Sequence, residues 1–562
     1  MMRDKKDNII LEEYENKFLY KKSKTNLNIE FNRVAFIFFV FLVISIIYSI
    51  QLLHLGSLKK IANNIKPLVN KKNYRADITD RNGNYLVKTV DAINVGIHPA
   101  KVIDKKHLLL MLNHIYKNKN LSEIKRKLSK NRFFYLEKNV RPKRYEELMM
   151  LGDKSISSEA SLMRLYPQSN LFSHIIGQID DDNNGISGIE KFFDGELKKI
   201  NEPLKLTVDI DIQFLIREEL LRFQKIFKAK GTGAILMNVN NGEILSMVSL
   251  PDFNLNKRKQ IKDVNYINKI TKGIYELGSV FKTFTVASGI NEGLIEPDTE
   301  FLDSKKSISC GKKYNISEYD DKMPSDLTVE QILIQSGNIG SVRIARTIGI
   351  KKHKSFLKTI GILGKIEFDI EEVGRPLPVD WNEGCKLETI AFGHGITTTI
   401  LQLAKGYAII ANGGYDIKPT LIKKKLDEKK IRKKVLRNNV SKKMNSILRK
   451  VVVEGTAKLV NVEGYQVGGK TGTAEQVSNS TYSNKKINTL ASIFPTENPK
   501  YVLVVMLEST KHNKEYIYEY RDGSGFKLKG SPRNTAGWTS VEVAGKIIDK
   551  IGPILATKYI EN

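Results

Sequence analysis

Three short clusters of residues carry groups that could act together in nucleophilic chemistry. The first is Ser279 with Lys282, within YELGSVFK at Tyr275 to Lys282. Gly278 allows a tight turn there, and the SVFKTFTVASGI that follows from Ser279 has one apolar helical face. Ser279 would open that helix, and a spacing of three residues places the Lys282 amine on the same side as its hydroxyl. A serine hydroxyl needs a base near neutral pH. Lysine can serve where apolar neighbours such as Phe281 and Phe284 desolvate it and lower its pKa. Alone the pair says little, because serine opens helices constantly and lysine follows by chance.

Two further clusters change that balance: Ser336-Gly337-Asn338 in ILIQSGNIG, and Lys470-Thr471-Gly472-Thr473 in VGGKTGTAE. Ser336 is an uncharged relay able to pass a proton between an active-site amine and a departing or incoming nitrogen. Asn338 offers both donor and acceptor to a substrate amide. Lys470 would set positive charge opposite a substrate carboxylate, with hydroxyls from Thr471 and Thr473 beside it. Gly472 would let an edge strand approach the substrate backbone. The backbone N–H groups of Ser279 and Thr473 would stabilise an oxyanion. The expected catalytic residues are therefore Ser279, Lys282 and Ser336, and the expected substrate-binding residues are Asn338, Lys470, Thr471, Gly472 and Thr473. Gly464 to Thr471 also fits the phosphate-binding pattern GxxxxGK[ST]. That loop must open into a helix, whereas TGTAEQVSNSTYSN has no helical apolar period.

The elements that would position these groups are partly legible. Ala234 to Val239 and Glu243 to Val248 flank Asn240-Asn241-Gly242 as a β-hairpin. Leu206 to Leu221 passes from a strand into a helix and suggests a domain boundary. Late strands are expected at Tyr465–Val467, Leu490–Phe494 and Tyr501–Leu507. Upstream, Tyr74 to Gly83 reads as a strand ending in an Asn-Gly turn and resuming at Tyr85–Val87, with helices near Lys106–Lys117 and Arg144–Leu151. The mixture predicts an α+β fold with helices packed on an antiparallel sheet.

Val34 to Leu53 is apolar and long enough to cross a bilayer as an uncleaved helix. Lysines and arginine on its two flanks balance, so charge alone does not orient it. The formal charge of +29 is spread along the chain rather than clustered, which argues against nucleic acid as a partner. Cys310 and Cys385 have no metal-ligand spacing; they are either two buried thiols or a pair. No metal or cofactor is indicated.

The ordered trio SxxK, SxN, KTG is the signature set of penicillin-binding proteins and class A β-lactamases. With ADITDRNGNYLV, RLYPQSNLFSHIIGQID, GISGIEKFFDGEL, AFGHGITTTILQLAKGYAIIANGG, VVVEGTA and NTAGW in the family's order, the chain resembles the class B penicillin-binding proteins. The likeness leans to the members that serve cell division. Ala76 stands where the family usually has Gly, and Leu277 where it has Pro.

The resemblance implies a cytoplasmic tail at 1–33, a membrane helix at 34–53, an elongated α+β pedestal at 54–225 and a penicilloyl-serine transferase domain at 226–562. It also implies a D,D-transpeptidase at the division septum, anchored in the inner membrane with its catalytic domain periplasmic. Ser279 would form an acyl-enzyme with peptidoglycan stem peptides and be blocked by β-lactam antibiotics. Expected partners are a membrane glycan polymerase of FtsW type and other division proteins. A D,D-carboxypeptidase or β-lactamase would use the same trio, and a non-enzymatic division scaffold is the alternative of a different class.

Overall fold

The computed structural model describes residues 26–62, 74–116, 121–257, 266–310, 314–423, 433–478 and 481–559. Residues 1–25 of the expected cytoplasmic tail lie outside these. Helix α1 (Asn26–Ala62) contains the expected membrane segment, and its stretch Arg33–His54 is apolar and long enough to span a bilayer. It falls in a unit, Met1–Lys72, separate from the unit Asn73–Asn562.

The second unit begins with β1 (Ile78–Thr79) and β2 (Tyr85–Ile97), antiparallel about a tight turn. The strand expected from Tyr74 is only these two residues before the turn. Asp80 then draws in the backbone itself, its Oδ1 accepting from the N–H groups of Asn82 and Asn84 at 2.9 and 2.8 Å. Helices α2 (Lys105–Ile115) and α3 (Leu121–Ser129) precede β3 (Phe134–Val140); α4 (Pro142–Met149) precedes β4 (Ile156–Leu165). Both β3 and β4 pair with β2. Val95, Ile97, Leu108, Leu112, Leu136 and Leu148 bury a small core of their own between sheet and helices.

Three of the quoted sequence stretches meet in one buried ion network. Arg75 Nε donates to Glu190 at 2.5 Å and Arg164 Nε donates to its other oxygen at 2.8 Å. Arg164 Nη1 also reaches the carbonyl of Ala76 and the hydroxyl of Thr89, both at 2.8 Å. Such buried charges are tolerable only because each is paired and hydrogen-bonded.

After β5 (Leu204–Lys205), Asp209 caps α5 (Ile210–Ile226) by accepting from Ile212 N at 3.0 Å. The expected hairpin is β6 (Gly231–Asn238) and β7 (Ile244–Leu250). The site region follows: α6 (Lys282–Asn291), β8 (Ser307–Cys310), β9 (Tyr314–Ser317), α7 (Val329–Gln335), α8 (Asn338–Ile348), α9 (Ile400–Ala411) and α10 (Asn438–Val453). The chain then returns through β10 (Gly468–Ser478), β11 (Thr481–Phe494) and β12 (Tyr501–Glu508), and finishes in α11 (Ser540–Tyr559). The five strands lie in the order β10-β11-β12-β6-β7, every neighbouring pair antiparallel.

Helices α5 and α11 pack together on β6 and β12, and α9, backed by α10, also covers these strands. The central strands are consequently buried along both faces, which is why β12 reads YVLVVMLE without a polar alternate. The stretch Leu206 to Leu221, where a domain boundary was expected, leads into α5, which packs on the large sheet.

One expectation is corrected here, and one alternative left open is resolved. Tyr465–Val467 is not a strand, because Gly464 and Gln466 have φ of +83° and +45°, outside the extended region. The strand starts at Gly468 instead. Lys470 and Thr471 therefore sit within β10, with no helix for a phosphate loop to open. Cys310 and Cys385 are paired as a disulfide, their Cα atoms 5.6 Å apart.

Candidate active site

Ser279 lies in a single 3-10 turn, Gly278–Phe281, that leads into α6, rather than in the α-helix itself. Gly278 has φ +60°, and a Cβ there would lie 2.8 Å from the carbonyl of Thr473. A Cβ on Gly472 would lie 2.2 Å from the carbonyl of Leu277. The two glycines let the nucleophile turn and β10 touch backbone to backbone. The closeness visible at Gly472 is to the nucleophile turn.

Lys282 is fully buried, and its Nζ donates to the carbonyl of Ser336 at 2.6 Å, to Asn338 Oδ1 at 2.7 Å and to Ser336 Oγ at 3.3 Å. From the strand side Lys470, also fully buried, donates to Ser336 Oγ at 2.9 Å. The Ser336 hydroxyl stands between two amines, accepting from both and keeping its own hydrogen to give.

Local backbone explains that placement. A reciprocal Thr328–Gln331 capping box starts α7, which ends at Ser336 in the left-handed conformation, φ +64°. This conformation costs a non-glycine residue on the order of 1 kcal/mol.

Burial drives both amines down from the usual lysine range. Lys282 is pushed to about 7 by loss of water, opposed in part by the negative charge of Glu318. Lys470 is held well below its ordinary value, by burial first and by the charge of Lys282 second. A neutral amine at Lys282 near pH 7 is a competent base.

Above them opens a cavity of about 650 Å³ lined by Ser279, Ser336, Asn338, Thr471 and Thr473, with Tyr319, Arg533 and Trp538 at other points of its wall. The expected residues thus come together as one constellation, although Lys282, Lys470 and Gly472 lie behind the wall rather than on it. Both ends of the Asn338 amide are engaged by the protein, since its Nδ2 donates to the carbonyl of Ser317 at 2.9 Å. Its second lone pair and second hydrogen remain for a substrate. Thr471 Oγ1 lies 2.8 Å from Thr456 Oγ1, and Thr473 Oγ1 accepts from Ala536 N at 3.0 Å. Thr456 and Trp538 belong to the stretches VVVEGTA and NTAGW, which marked them without giving a role. Glu318 and Arg533 carried no signal.

His394 also lines the cavity, its Nδ1 3.8 Å from a carboxylate oxygen of Glu276.

Residues 232–523 match the family described as penicillin binding protein transpeptidase domain, and residues 70–211 that described as penicillin-binding protein dimerisation domain. A probable peptidoglycan D,D-transpeptidase FtsI of Caulobacter vibrioides is 27% identical over 500 residues, covering 86% of this chain and 82% of the relative. Peptidoglycan D,D-transpeptidase FtsI of Escherichia coli is 26% identical, covering 79% and 80% respectively. The fold is shared with a solved structure of penicillin binding protein 3 from Mycobacterium tuberculosis complexed with aztreonam. That likeness has a TM-score of 0.64 at 20% identity and covers 87% of this chain and 96% of the other. With a serine, two buried lysines and a left-handed serine around one cavity, and both of its long segments matched, the chain belongs to the class B penicillin-binding proteins.

Proposed function

We propose that this protein is a serine D,D-transpeptidase that cross-links peptidoglycan stem peptides during septal wall synthesis and is acylated by β-lactams. The observation that carries the assignment is the buried, low-pKa Lys282 one turn from Ser279 and bonded to Ser336 and Asn338. In this mechanism neutral Lys282 takes the proton of Ser279 Oγ as the oxygen attacks the carbonyl of the penultimate D-Ala. The backbone N–H groups of Ser279 and Thr473 hold the oxyanion, and the C–N bond to the terminal D-Ala breaks. The departing nitrogen receives its proton through Ser336, whose oxygen is recharged from the lysine pair. An acceptor amine then attacks the acyl-enzyme carbonyl; the new C–N bond forms as the ester bond to Ser279 Oγ breaks, and the amine's proton returns through Ser336 and Lys282 to Ser279 Oγ.

Thr471 and Thr473 on the cavity wall bind the carboxylate of the leaving D-Ala, with Lys470 supplying positive charge from behind them. An anionic ligand would raise the Lys470 pKa and return it to the ammonium form. The proposed division keeps a pedestal at 54–225 and a transpeptidase domain at 226–562, with α5, which packs on the large sheet, at the junction between them. The relatives named FtsI support a division role, with a glycan polymerase of FtsW type as the proposed partner. The apolar stretch Arg33–His54 supports a single-pass anchor, proposed for the inner membrane.

The test is intact-mass spectrometry of the detergent-solubilised full chain after incubation with benzylpenicillin, beside Ser279→Ala. A stable gain of one β-lactam, lost in the variant, is expected. No adduct with intact drug would favour a scaffold, and no adduct with hydrolysed drug a β-lactamase.

A further inference from the structure

We propose that Glu318 is a positioning residue of this site: from outside the three motifs its carboxylate fixes the start of α8, hence Asn338, and faces the base with negative charge. The inference rests on the transpeptidase reading of Ser279 and Lys282. It begins with an omission in the second motif. A helix needs acceptors for its first N–H groups, and the residue before α8 is Gly337, which has no side chain to supply one.

Glu318 stands in for that missing cap. Its Oε2 accepts from Asn338 N at 2.6 Å and its Oε1 from Ile339 N at 2.9 Å. The preceding residue completes the hold, because the carbonyl of Ser317 takes Asn338 Nδ2 at 2.9 Å. Asn338 is therefore pinned through its backbone N–H and its side-chain nitrogen before its Oδ1 meets Lys282 at 2.7 Å.

The arm that presents Glu318 is itself fixed. It extends from the hairpin β8–β9, paired from Cys310–Tyr314 to Ser307–Ser317. Cys310 and Ile316 of that hairpin pack on Ile339 and Val342 of α8, and Cys310 is tied to Cys385. Hairpin and helix thus share one apolar cluster.

The charges facing Lys282 come from two sides: Lys470 on β10 and Glu318 beyond β9, with neutral Ser336 and Asn338 between. Burial favours the neutral amine and Glu318 the ammonium, so the balance between them sets the pH at which the base becomes available.

A helix cap that is only structural would change stability and leave that pH untouched. The deciding experiment measures the acylation rate of the full chain in detergent with a fluorescent penicillin, from about pH 5 to pH 9, for wild type, E318Q and E318D. E318Q keeps the shape, loses the charge and turns one acceptor into a donor facing an N–H. Its plateau rate is expected to fall about tenfold, and its acid limb to move to lower pH by about half a unit or more. E318D keeps the charge on a shorter arm, so its plateau is expected to fall while its limb stays at the wild-type pH. An E318Q limb coincident with wild type, or an E318D limb displaced like that expected of E318Q, would overturn the proposal. Absence of acylation in the wild type would instead remove the transpeptidase assignment and not bear on Glu318.

Discussion

Ser336 is the residue on which the two lysines converge, and its chemistry depends on which of them holds a proton. Lys282 has a folded pKa of about 7, below its unfolded value, so the neutral base is present above that pH and lost below it. Acylation by benzylpenicillin is expected to fall as pH drops through about 7, measured as second-order rate against pH. Lys282→Gln is expected to lower the plateau by about 10² to 10⁴, and a variant that acylates normally would remove Lys282 from the role of base. Lys470→Ala is expected to reduce acylation efficiency by about tenfold to a hundredfold, through loss of its bond to Ser336 Oγ and of the positive charge behind the carboxylate site. The identities of these residues were plain in the sequence because nucleophile, base and relay each demand a narrow set of side chains. What spacing could not convey was burial. The desolvation of Lys282 and Lys470 comes from elements that lie far apart in the chain, and Glu318 belongs to no motif at all.

At the scale of elements, the contact between the nucleophile turn and β10 is the one with least slack. Gly472→Ala would drive a Cβ to 2.2 Å from the carbonyl of Leu277. Overpacking of this kind costs about 1 to 3 kcal/mol, and displacement of Ser279 should slow acylation even where the protein folds. Parallel thermal melts and acylation rates would check this, and a fully active Gly472→Ala protein would contradict the packing described. The β6–β7 hairpin, α2 and α4 were legible because their turn chemistry and apolar period are local. The true start of β10 was not, since it depends on two positive-φ residues just before it, one of them glutamine. The 3-10 form of the Ser279 turn was hidden likewise, being imposed by the strand pressed against it.

At the scale of the whole molecule, the network of Arg75, Arg164 and Glu190 ties the opening strands to the segment before α5. Arg164→Ala would leave Glu190, wholly buried, with one partner fewer. Loss of one partner from a buried pair costs about 3 to 5 kcal/mol, which urea unfolding of the purified protein would register. A change below about 0.5 kcal/mol would mean that the network adds nothing to stability. The sequence stretches RLYP and GISGIE announced importance without disclosing that it was mutual.

The disulfide between Cys310 and Cys385 reaches beyond the hairpin that it fastens. Disulfides persist where thiols are not continually reduced, which in most bacteria excludes the cytoplasm. Lysine counts on the two flanks of the apolar helix gave no preference for either direction of insertion. This covalent bond predicts one: the residues after α1 are expected on the oxidising side and the N-terminal residues on the reducing side, which protease protection of intact and opened spheroplasts would check. A topology undecided by charge is thus predicted from two sulfur atoms more than 250 residues downstream of the membrane segment.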